Sequence, residues 1–497
     1  MVSMLRKTAQ IVKTSIGSRQ LVNSKLSFRF FGVALITAPL IANGADWDFQ
    51  PRIEIGQSWT DNIALAESGL EESEWVTELR PAITVSLDGP RLSGDLDYEM
   101  QILKFADNGD SDDIFNRLNG TGQLVVVPET AFIDAFARYD RQNIDTRGRL
   151  AFSNVFNSDN RTDYAVAGLS PYHQGTWGAW GESLVRLTGY GVRFRNTDPG
   201  VAQPEDSDNV RLIATLNSPS EARGPSWGFR GSYSGTDFEK AASFKYAQAL
   251  LDLGLPVGGR TRLTATAGKE SDALEDPSKG SLDSTVWFVG FEWEPSDLQS
   301  LEVRGGDRFY GTAWEASWRR RGSKGELMVD YTEDPTTSSG VLGDDDLFLP
   351  GFPTIDIGSL DSRVFLQKRL SGQASYEFTR STILARIYSD RREYLDSLSG
   401  QEDGVGGTLS FTWDAAARTS VATSVTLEKR KFEANRKDDF AEFDIGVTRQ
   451  INRVLSAELS YRHFLRNSNS EPDYNANLIS LFVVFNFGDP DAAPPSW

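Results

Sequence analysis

The chain has 497 residues and contains no cysteine and only two histidines. The absence of cysteine excludes a disulfide framework. Only 39% of the residues are hydrophobic, and there is no long apolar run beyond the N-terminal region, which excludes a bundle of membrane-spanning helices. Stability must therefore come from a large core or from strands that close on themselves.

Basic residues are also scarce, with 51 Lys and Arg against 70 Asp and Glu and a net charge of −19. Nucleic-acid affinity depends on cationic side chains that meet phosphates, so we expect no nucleic-acid partner.

The N-terminal segment has a composition of its own. Residues 1–45 contain no Asp or Glu, an apolar run spans 30–42, and Gly44 and Ala45 follow. A basic region, a short apolar core and small residues predict a secretory signal peptide over 1–45, the alternative being an uncleaved anchor. The basic residues are Arg6, Lys7, Lys13, Arg19, Lys25 and Arg29.

The remaining chain alternates between apolar and other residues. In 477–487, Ile479, Leu481 and Val483 share one face of an extended strand. In 92–102, Leu96 and its neighbours on one face alternate with acidic residues on the other. Such a pattern fits a half-buried strand of a soluble sandwich or a strand with one face in lipid. Its recurrence along the chain predicts an all-β protein.

The links between these strands alternate between tight and long. Tight links include 88–90, 128–130 and 379–381, whereas long links include 60–74, 143–161, 332–362 and 390–406. This rhythm is typical of outer-membrane barrels. We predict a single-chain transmembrane antiparallel up-and-down β-barrel over 46–488, with short periplasmic turns, long extracellular loops and a tail at 489–497. We expect about 22 strands, an even number within the range 16–22.

Several stretches resemble the outer-membrane β-barrel proteins associated with the PEP-CTERM/exosortase system of Gram-negative bacteria. They are SWTDNIAL (58–65), LRPAI (79–83), GDRFYG (306–311), WRRR (318–321) and VDYTEDPTT (329–337). The resemblance extends over nearly the whole mature chain. It implies an outer-membrane location and a link to exopolysaccharide production and surface-protein sorting, without a known activity.

Few residues suggest catalysis or metal binding. His173 and His463 could serve a barrel hydrolase, but neither lies in a recognisable catalytic motif. Acidic clusters at 71–74, 107–113 and 344–346 could hold Ca²⁺, yet none has the full calcium-loop spacing, and solvated loops explain them. We therefore predict no catalytic, cofactor-binding or metal-binding residues.

The alternation places charged residues on the presumed lumen face. An excess of acids there predicts weak cation selectivity. The long link 332–362 is unusually apolar within 347–352 and is a candidate constriction. The lumen residues are Asp95, Asp97, Glu99, Arg138, Glu442, Asp444, Glu458 and Arg462, and the constriction residues are Asp344, Asp345, Asp346, Phe348 and Phe352.

The sequence supports three functional hypotheses. The leading one is a non-enzymatic pore or export conduit associated with cell-surface polysaccharide. The second is a structural or assembly barrel with a blocked lumen that acts through its loops, and the third is a barrel hydrolase. The expected partners are outer-membrane lipid and lipopolysaccharide, with a polysaccharide or a periplasmic export component as further candidates.

The signal peptide gives the first testable prediction. Cleavage should fall within about a residue of Gly44 and Ala45, because small residues follow the apolar core there. N-terminal sequencing of the protein from outer-membrane preparations measures the site. A mature chain that still begins near Met1 would contradict the prediction.

Overall fold

The structure is a computed structural model that describes residues 44–195, 204–219, 224–343, 358–395 and 400–488. Residues 1–43 of the predicted signal peptide, the candidate constriction residues at 344–352 and the tail lie outside these ranges. The described chain forms a single sheet of 22 strands, each antiparallel to its neighbours in sequence. The prediction of about 22 antiparallel strands is confirmed.

The sheet closes on itself. The first strand pairs with the last, from Arg52 opposite Asn486 to Thr60 opposite Leu478. Closure gives every strand two neighbours and removes free sheet edges. The strands are β1 (Asp46–Thr60), β2 (Glu74–Asp88), β3 (Leu92–Phe105), β4 (Asp113–Val127), β5 (Ala131–Asn143), β6 (Arg161–Thr176), β7 (Glu182–Arg195), β8 (Ser207–Asn217), β9 (Ser226–Phe238), β10 (Phe244–Gly258), β11 (Thr261–Glu270), β12 (Ser284–Ser296), β13 (Gln299–Arg308), β14 (Gly311–Arg321), β15 (Gly325–Thr337), β16 (Val364–Glu377), β17 (Ser381–Tyr394), β18 (Gln401–Ala416), β19 (Thr419–Phe432), β20 (Lys437–Gln450), β21 (Leu455–Ser468) and β22 (Tyr474–Asn486).

In the part of the chain that the structure describes, helical structure is confined to short segments between strands. There, one α-helix, α1 (Ser338–Leu342), follows β15, and three 3₁₀ turns lie at Gly109–Ser111, Gly178–Trp180 and Glu433–Asn435. The Thr337 side chain accepts a hydrogen bond from the Gly340 N–H at 3.0 Å and so caps α1. Within the described ranges, no helix is long and apolar enough to cross a membrane.

The outer face of the barrel is apolar and exposed. Alternate residues of each strand point outwards because successive side chains lie on opposite faces. On β22, for example, Ile479, Leu481 and Val483 are exposed, whereas Phe482 and Val484 between them are buried inside. Other exposed apolar residues of this outer face are Trp75, Leu79, Leu253, Leu255, Trp287, Val289, Trp314, Ile387, Leu409, Val425, Leu427 and Leu459.

The long links are shorter than predicted in two places. We expected a link over 332–362, but β15 continues to Thr337, and the connection is 338–363. We expected another link over 390–406, but β17 ends at Tyr394 and β18 begins at Gln401. In both cases the strand continues with polar residues on both faces, so apolar alternation does not mark its end.

One hairpin on the side that carries the long loops is very short. Only Phe309 and Tyr310 join β13 to β14. The pairing of β14 with β15 extends only from Arg321 opposite Glu326 to Ala316 opposite Tyr331, and the upper part of β15 pairs with β16 alone. Side chains bridge the gap, since the Glu333 carboxylate accepts hydrogen bonds from the Trp314 N–H at 3.2 Å and the Tyr331 hydroxyl at 2.9 Å.

The assignment of faces can be tested on β19. Val425 is exposed on the outer face, and Ser424 lies on the inner face between Ser410 and Asp444. We expect Val425→Arg to lower the free energy of unfolding in phospholipid bilayers by about 2–4 kcal/mol, because it places a charge in hydrocarbon. Ser424→Arg should cost much less, since its guanidinium lies beside a carboxylate. Equal losses in the two variants would show that the faces are assigned wrongly.

Candidate functional site

The lumen is the candidate functional site, and arginine–carboxylate pairs line its wall. Arg52 donates to Glu99 at 3.0 Å, and Arg80 donates to Glu78 at 2.6 Å. In each ion pair between inner-face strand residues in the described ranges, the cation is an arginine, whose planar guanidinium suits carboxylates. Further pairs are Arg186–Asp134, Arg304–Glu315, Arg308–Glu270, Arg392–Asp390, Arg430–Glu402, Arg462–Asp444 and Arg466–Asp438.

The β5–β6 loop (144–160) folds into the barrel. Ala151, Val155 and Phe156 of this loop are each at most 3% exposed. They pack in one cluster with inner-face residues of β2, β3, β21 and β22 and with the β1–β2 loop (61–73). Phe156 meets the edge of Phe464 on β21 with ring centroids 5.1 Å apart. The Tyr474 hydroxyl on β22 donates to the carbonyl oxygen of Leu150 at 3.0 Å.

The described part of the β15–β16 loop (338–343 and 358–363) enters the lumen from another side of the barrel. Val341 and Leu342 of α1 are buried and pack with Tyr164 on β6 and Val192 on β7, together with Leu360. Strands β6 and β7 lie far around the barrel from β15 and β16. The segment therefore reaches across the lumen to the opposite wall.

The two inward loops meet each other. The Leu360 N–H donates to the Ile144 carbonyl oxygen at 2.7 Å, and the Thr146 and Ser359 hydroxyls are 2.8 Å apart. The Thr146 hydroxyl also donates to Glu402 on β18 at 2.8 Å. We call the combined structure, made of 144–160, α1 and 358–363, the lumen bridge.

Buried charges hold the lumen bridge to the wall. Arg430 is 4% exposed and donates to Glu402 at 2.7 Å and also to Glu428. The Arg466 guanidinium on β21 donates to the carbonyl oxygen of Arg147 at 3.1 Å and to Asp438 at 3.1 Å. Because these charges are buried and paired, removing one partner leaves an uncompensated charge.

A separate cluster of buried charges lies at the short β13–β14 hairpin. The Arg308 side chain is 1% exposed and donates to Glu270 at 3.1 Å, to the Tyr246 hydroxyl at 2.6 Å and to the carbonyl oxygen of Glu333. Glu270 lies on β11, and Tyr246 lies on β10. Arg308 therefore ties β10 and β11 to the upper part of β15, where the ladder to β14 is absent.

The structure places the predicted lumen residues on the inner face of their strands. Asp95 accepts from Ser86 and Asp97 from Thr84, each at 2.7 Å. Arg462 donates to Asp444 at 2.6 Å. Arg138 lies opposite Asn119 on β4, Glu442 opposite Thr426 on β19, and Glu458 opposite Phe482 on β22. The selectivity that we attribute to these residues stays a prediction.

In two of the acidic clusters, 71–74 and 107–113, carboxylates accept hydrogen bonds from backbone and side-chain groups of the chain. The Glu74 carboxylate accepts the N–H groups of Ala106, Asp107 and Asn108, each at 3.1 Å. The hydrogen bond from Lys104 has the largest effect on the pKa of the Asp112 carboxyl, which it lowers. The hydrogen bond from the Phe105 N–H lowers that pKa further. No group of three or more metal-ligating side chains in the described ranges is arranged to hold a metal ion.

Both histidines lie on the outer face. His173 is exposed near the turn after β6, and the His463 Nδ1 is 2.9 Å from the Asn477 amide oxygen on β22. Neither histidine therefore faces the lumen. The arginine run 319–321 ends β14 beside the tight turn 322–324.

Comparisons with known proteins identify no family. No protein-family model matches the chain, and no curated protein resembles it in sequence. Among solved structures, it is similar to a mutant of the ferric enterobactin receptor PfeA from Pseudomonas aeruginosa (11% identity, 89% of this chain and 81% of that one, TM-score 0.45). It is also similar to the siderophore receptor PirA from Acinetobacter baumannii (10% identity, 89% and 80%, TM-score 0.46) and to OccK9 from P. aeruginosa (11% identity, 89% and 99%, TM-score 0.37).

The location follows from the barrel itself. An even number of antiparallel strands closes in a single chain, with an apolar outer face and a charged inner face. This combination is that of bacterial outer-membrane barrels, and a soluble barrel would not expose so many apolar side chains. The chain is an outer-membrane β-barrel.

The attachment of the lumen bridge can be tested at Glu402. We expect Glu402→Ala to lower the free energy of unfolding by about 3–5 kcal/mol, because Arg430 then loses a buried partner and Thr146 its acceptor. Urea unfolding in detergent micelles measures the change. The variant should also be cut faster by trypsin after Arg147 and Arg149.

The matched control is Asp439→Ala. Asp439 pairs with Lys429 at 3.7 Å on the outer face, and both side chains are more than half exposed. This exposed pair should contribute at most about 1 kcal/mol. If the two variants lose equal stability, Glu402 does not anchor the bridge.

Proposed function

We propose that the chain is a non-enzymatic transport barrel, a pore or export conduit associated with exopolysaccharide production and PEP-CTERM surface-protein sorting. The observation that supports this proposal is the inner wall, which carries charged and hydrogen-bonding groups on strands all around the barrel. Such a wall suits a hydrated solute, which exchanges water for guanidinium, carboxylate and hydroxyl partners.

The lumen bridge makes this conduit a gated one. Its contacts with the wall are apolar packing, ion pairs and hydrogen bonds, and the chain contains no cysteine that could lock it covalently. Each such contact is worth a few kcal/mol or less, so a bound partner can shift the bridge between two positions. Passage then requires the bridge to move away from β18 and β21.

The bridge also favours a second candidate, a structural or assembly barrel with a blocked lumen. In that case the loops on the extracellular side carry the function and the bridge stays in place. A barrel hydrolase has less support, because both histidines lie on the outer face.

Planar-bilayer conductance separates the two candidates. In the test variant, residues 145–159 are replaced by Asn-Gly. The Ile144 N–H already donates to the Asn160 carbonyl oxygen at 3.0 Å, so a two-residue hairpin turn can close there. We expect low conductance from the intact protein and a large, steady conductance from the variant. Reversal potentials should show weak cation selectivity, and polysaccharide fragments should reduce the current.

The control variant shortens the β11–β12 loop by replacing residues 273–281 with Gly-Gly-Ser. This loop contacts the neighbouring strand β10, where the Lys245 N–H donates to the Pro277 carbonyl oxygen at 2.8 Å. Its conductance should equal that of the intact protein. Failure of the 145–159 variant to conduct would refute the conduit and leave the blocked barrel, and anion selectivity would refute the predicted charge of the lumen.

A further inference from the structure

A cavity of about 570 Å³ opens among the loops on the extracellular side. The β1–β2 loop, the β5–β6 loop, the connections 433–436 and 469–473, and Arg466 of β21 line it. Its volume lies within the range of about 300–1,000 Å³ that is usual for ligand pockets. The lining consists of Leu65, Ala66, Glu67, Leu70, Asp145, Arg147, Gly148, Arg149, Arg436, Arg466, Glu471 and Pro472.

Guanidinium groups dominate the polar lining. Arg436 donates to Asp438 at 2.9 Å and to Glu471 at 3.3 Å. Arg147 pairs with Asp145 at 3.0 Å, and this hydrogen bond raises the pKa of the guanidinium. Arg147 uses only its Nε in this pair, so its terminal N–H groups remain available to a ligand.

Two arginines of the lining, Arg466 and Arg149, have N–H groups without a strong hydrogen bond in the described ranges. Arg466 is 2% exposed, yet its Nε has no hydrogen-bond partner within the described part of the chain. A buried donor without a partner costs about 1–3 kcal/mol. Arg149 is exposed, and its one described hydrogen bond is a long one of 3.5 Å to the carbonyl oxygen of Ala64. Arg149 can therefore donate to an acceptor oxygen in the cavity, and Arg466 adds a second, buried cation to the lining.

The cavity also presents acceptors and an apolar surface. Glu67 and Glu471 supply carboxylates, which repel a simple anion but accept hydrogen bonds from hydroxyl groups. Leu70 is 64% exposed and lies near Leu65 and Pro472, which gives an apolar surface for the C–H face of a ring. A ligand that satisfies the whole lining must therefore carry a negative group, several hydroxyls and an apolar face.

We propose that this cavity binds an acidic saccharide, a sugar unit whose carboxylate meets the arginines and whose hydroxyls meet Glu67 and Glu471. The site lies beside the lumen bridge, because Arg147 and Arg149 belong to the β5–β6 loop. Binding there is coupled to the position of the bridge. The choice of a polysaccharide as the natural source of the saccharide rests on the proposed function, whereas the chemistry of the cavity does not.

Calorimetric titration of the full mature protein in detergent tests the site. The probes are trigalacturonate, the matched neutral galactose trimer and inorganic phosphate. We expect trigalacturonate to bind at least about tenfold more tightly than either of the others, since a charge-assisted hydrogen bond contributes about 1.5–3 kcal/mol. Equal binding of the neutral trimer or of phosphate would overturn the assignment.

Variants locate the binding. Arg149→Ala should weaken trigalacturonate binding about tenfold or more, and it should leave folding intact because the side chain is exposed. Arg453→Ala, on the tight turn between β20 and β21 at the other rim, is the control and should bind as the unaltered protein does. Unchanged binding in Arg149→Ala would refute the site. If the intact protein binds trigalacturonate but the 145–159 variant does not conduct, the conduit alone is refuted. If that variant conducts but the intact protein does not bind trigalacturonate, the cavity alone is refuted.

Discussion

The structure depends on the need to pair every backbone N–H and C=O group where no water can reach them. In hydrocarbon an unpaired group costs several kcal/mol, so a sheet that spans a membrane must have no free edge. Here the pairing of β1 with β22 meets that requirement. The apolar outer face then contacts lipid, and arginine–carboxylate pairs line the inner face.

A closed barrel of 22 strands has an interior too wide for the side chains of its own strands to fill. The loops fill part of it. Aromatic and aliphatic residues of 144–160 and α1 pack against inner-face residues that would otherwise be apolar surface in water, such as Val76, Leu103 and Val192. The apolar patches of the inner wall and the inward loops thus stabilise one another, and the ion pairs at Glu402 and Asp438 determine where the loops attach.

The sequence predicted the strands well where lipid imposes a period of two. On β22 the exposed apolar residues alternate strictly with buried ones, so the two faces of this strand could be read directly. The ends of β15 and β17 could not, because above the hydrocarbon both faces are polar. The short β13–β14 link is visible in the sequence as well, since no long polar segment separates Arg308 from Gly311.

The lumen bridge was missed for a different reason. Contacts such as Thr146 with Glu402 join segments far apart in sequence, and only the closed barrel brings them together. A local signal was nevertheless present. Ala151, Val155 and Phe156 are as unexpected in a solvated loop as the apolar residues of 347–352, to which we assigned the constriction. Glu428 and Arg430 likewise alternate with outward lysines on β19, which identifies them as inward charges.

The exclusive use of arginine on the inner wall has a consequence for the pH range of the barrel. In the described strands, lysines and histidines point outwards, and a guanidinium does not lose its proton under physiological conditions. Between neutral and strongly alkaline pH, neither partner of an arginine–carboxylate pair changes its charge. The arginine–carboxylate pairs of this wall therefore keep their charges in any alkaline surroundings that a cell tolerates.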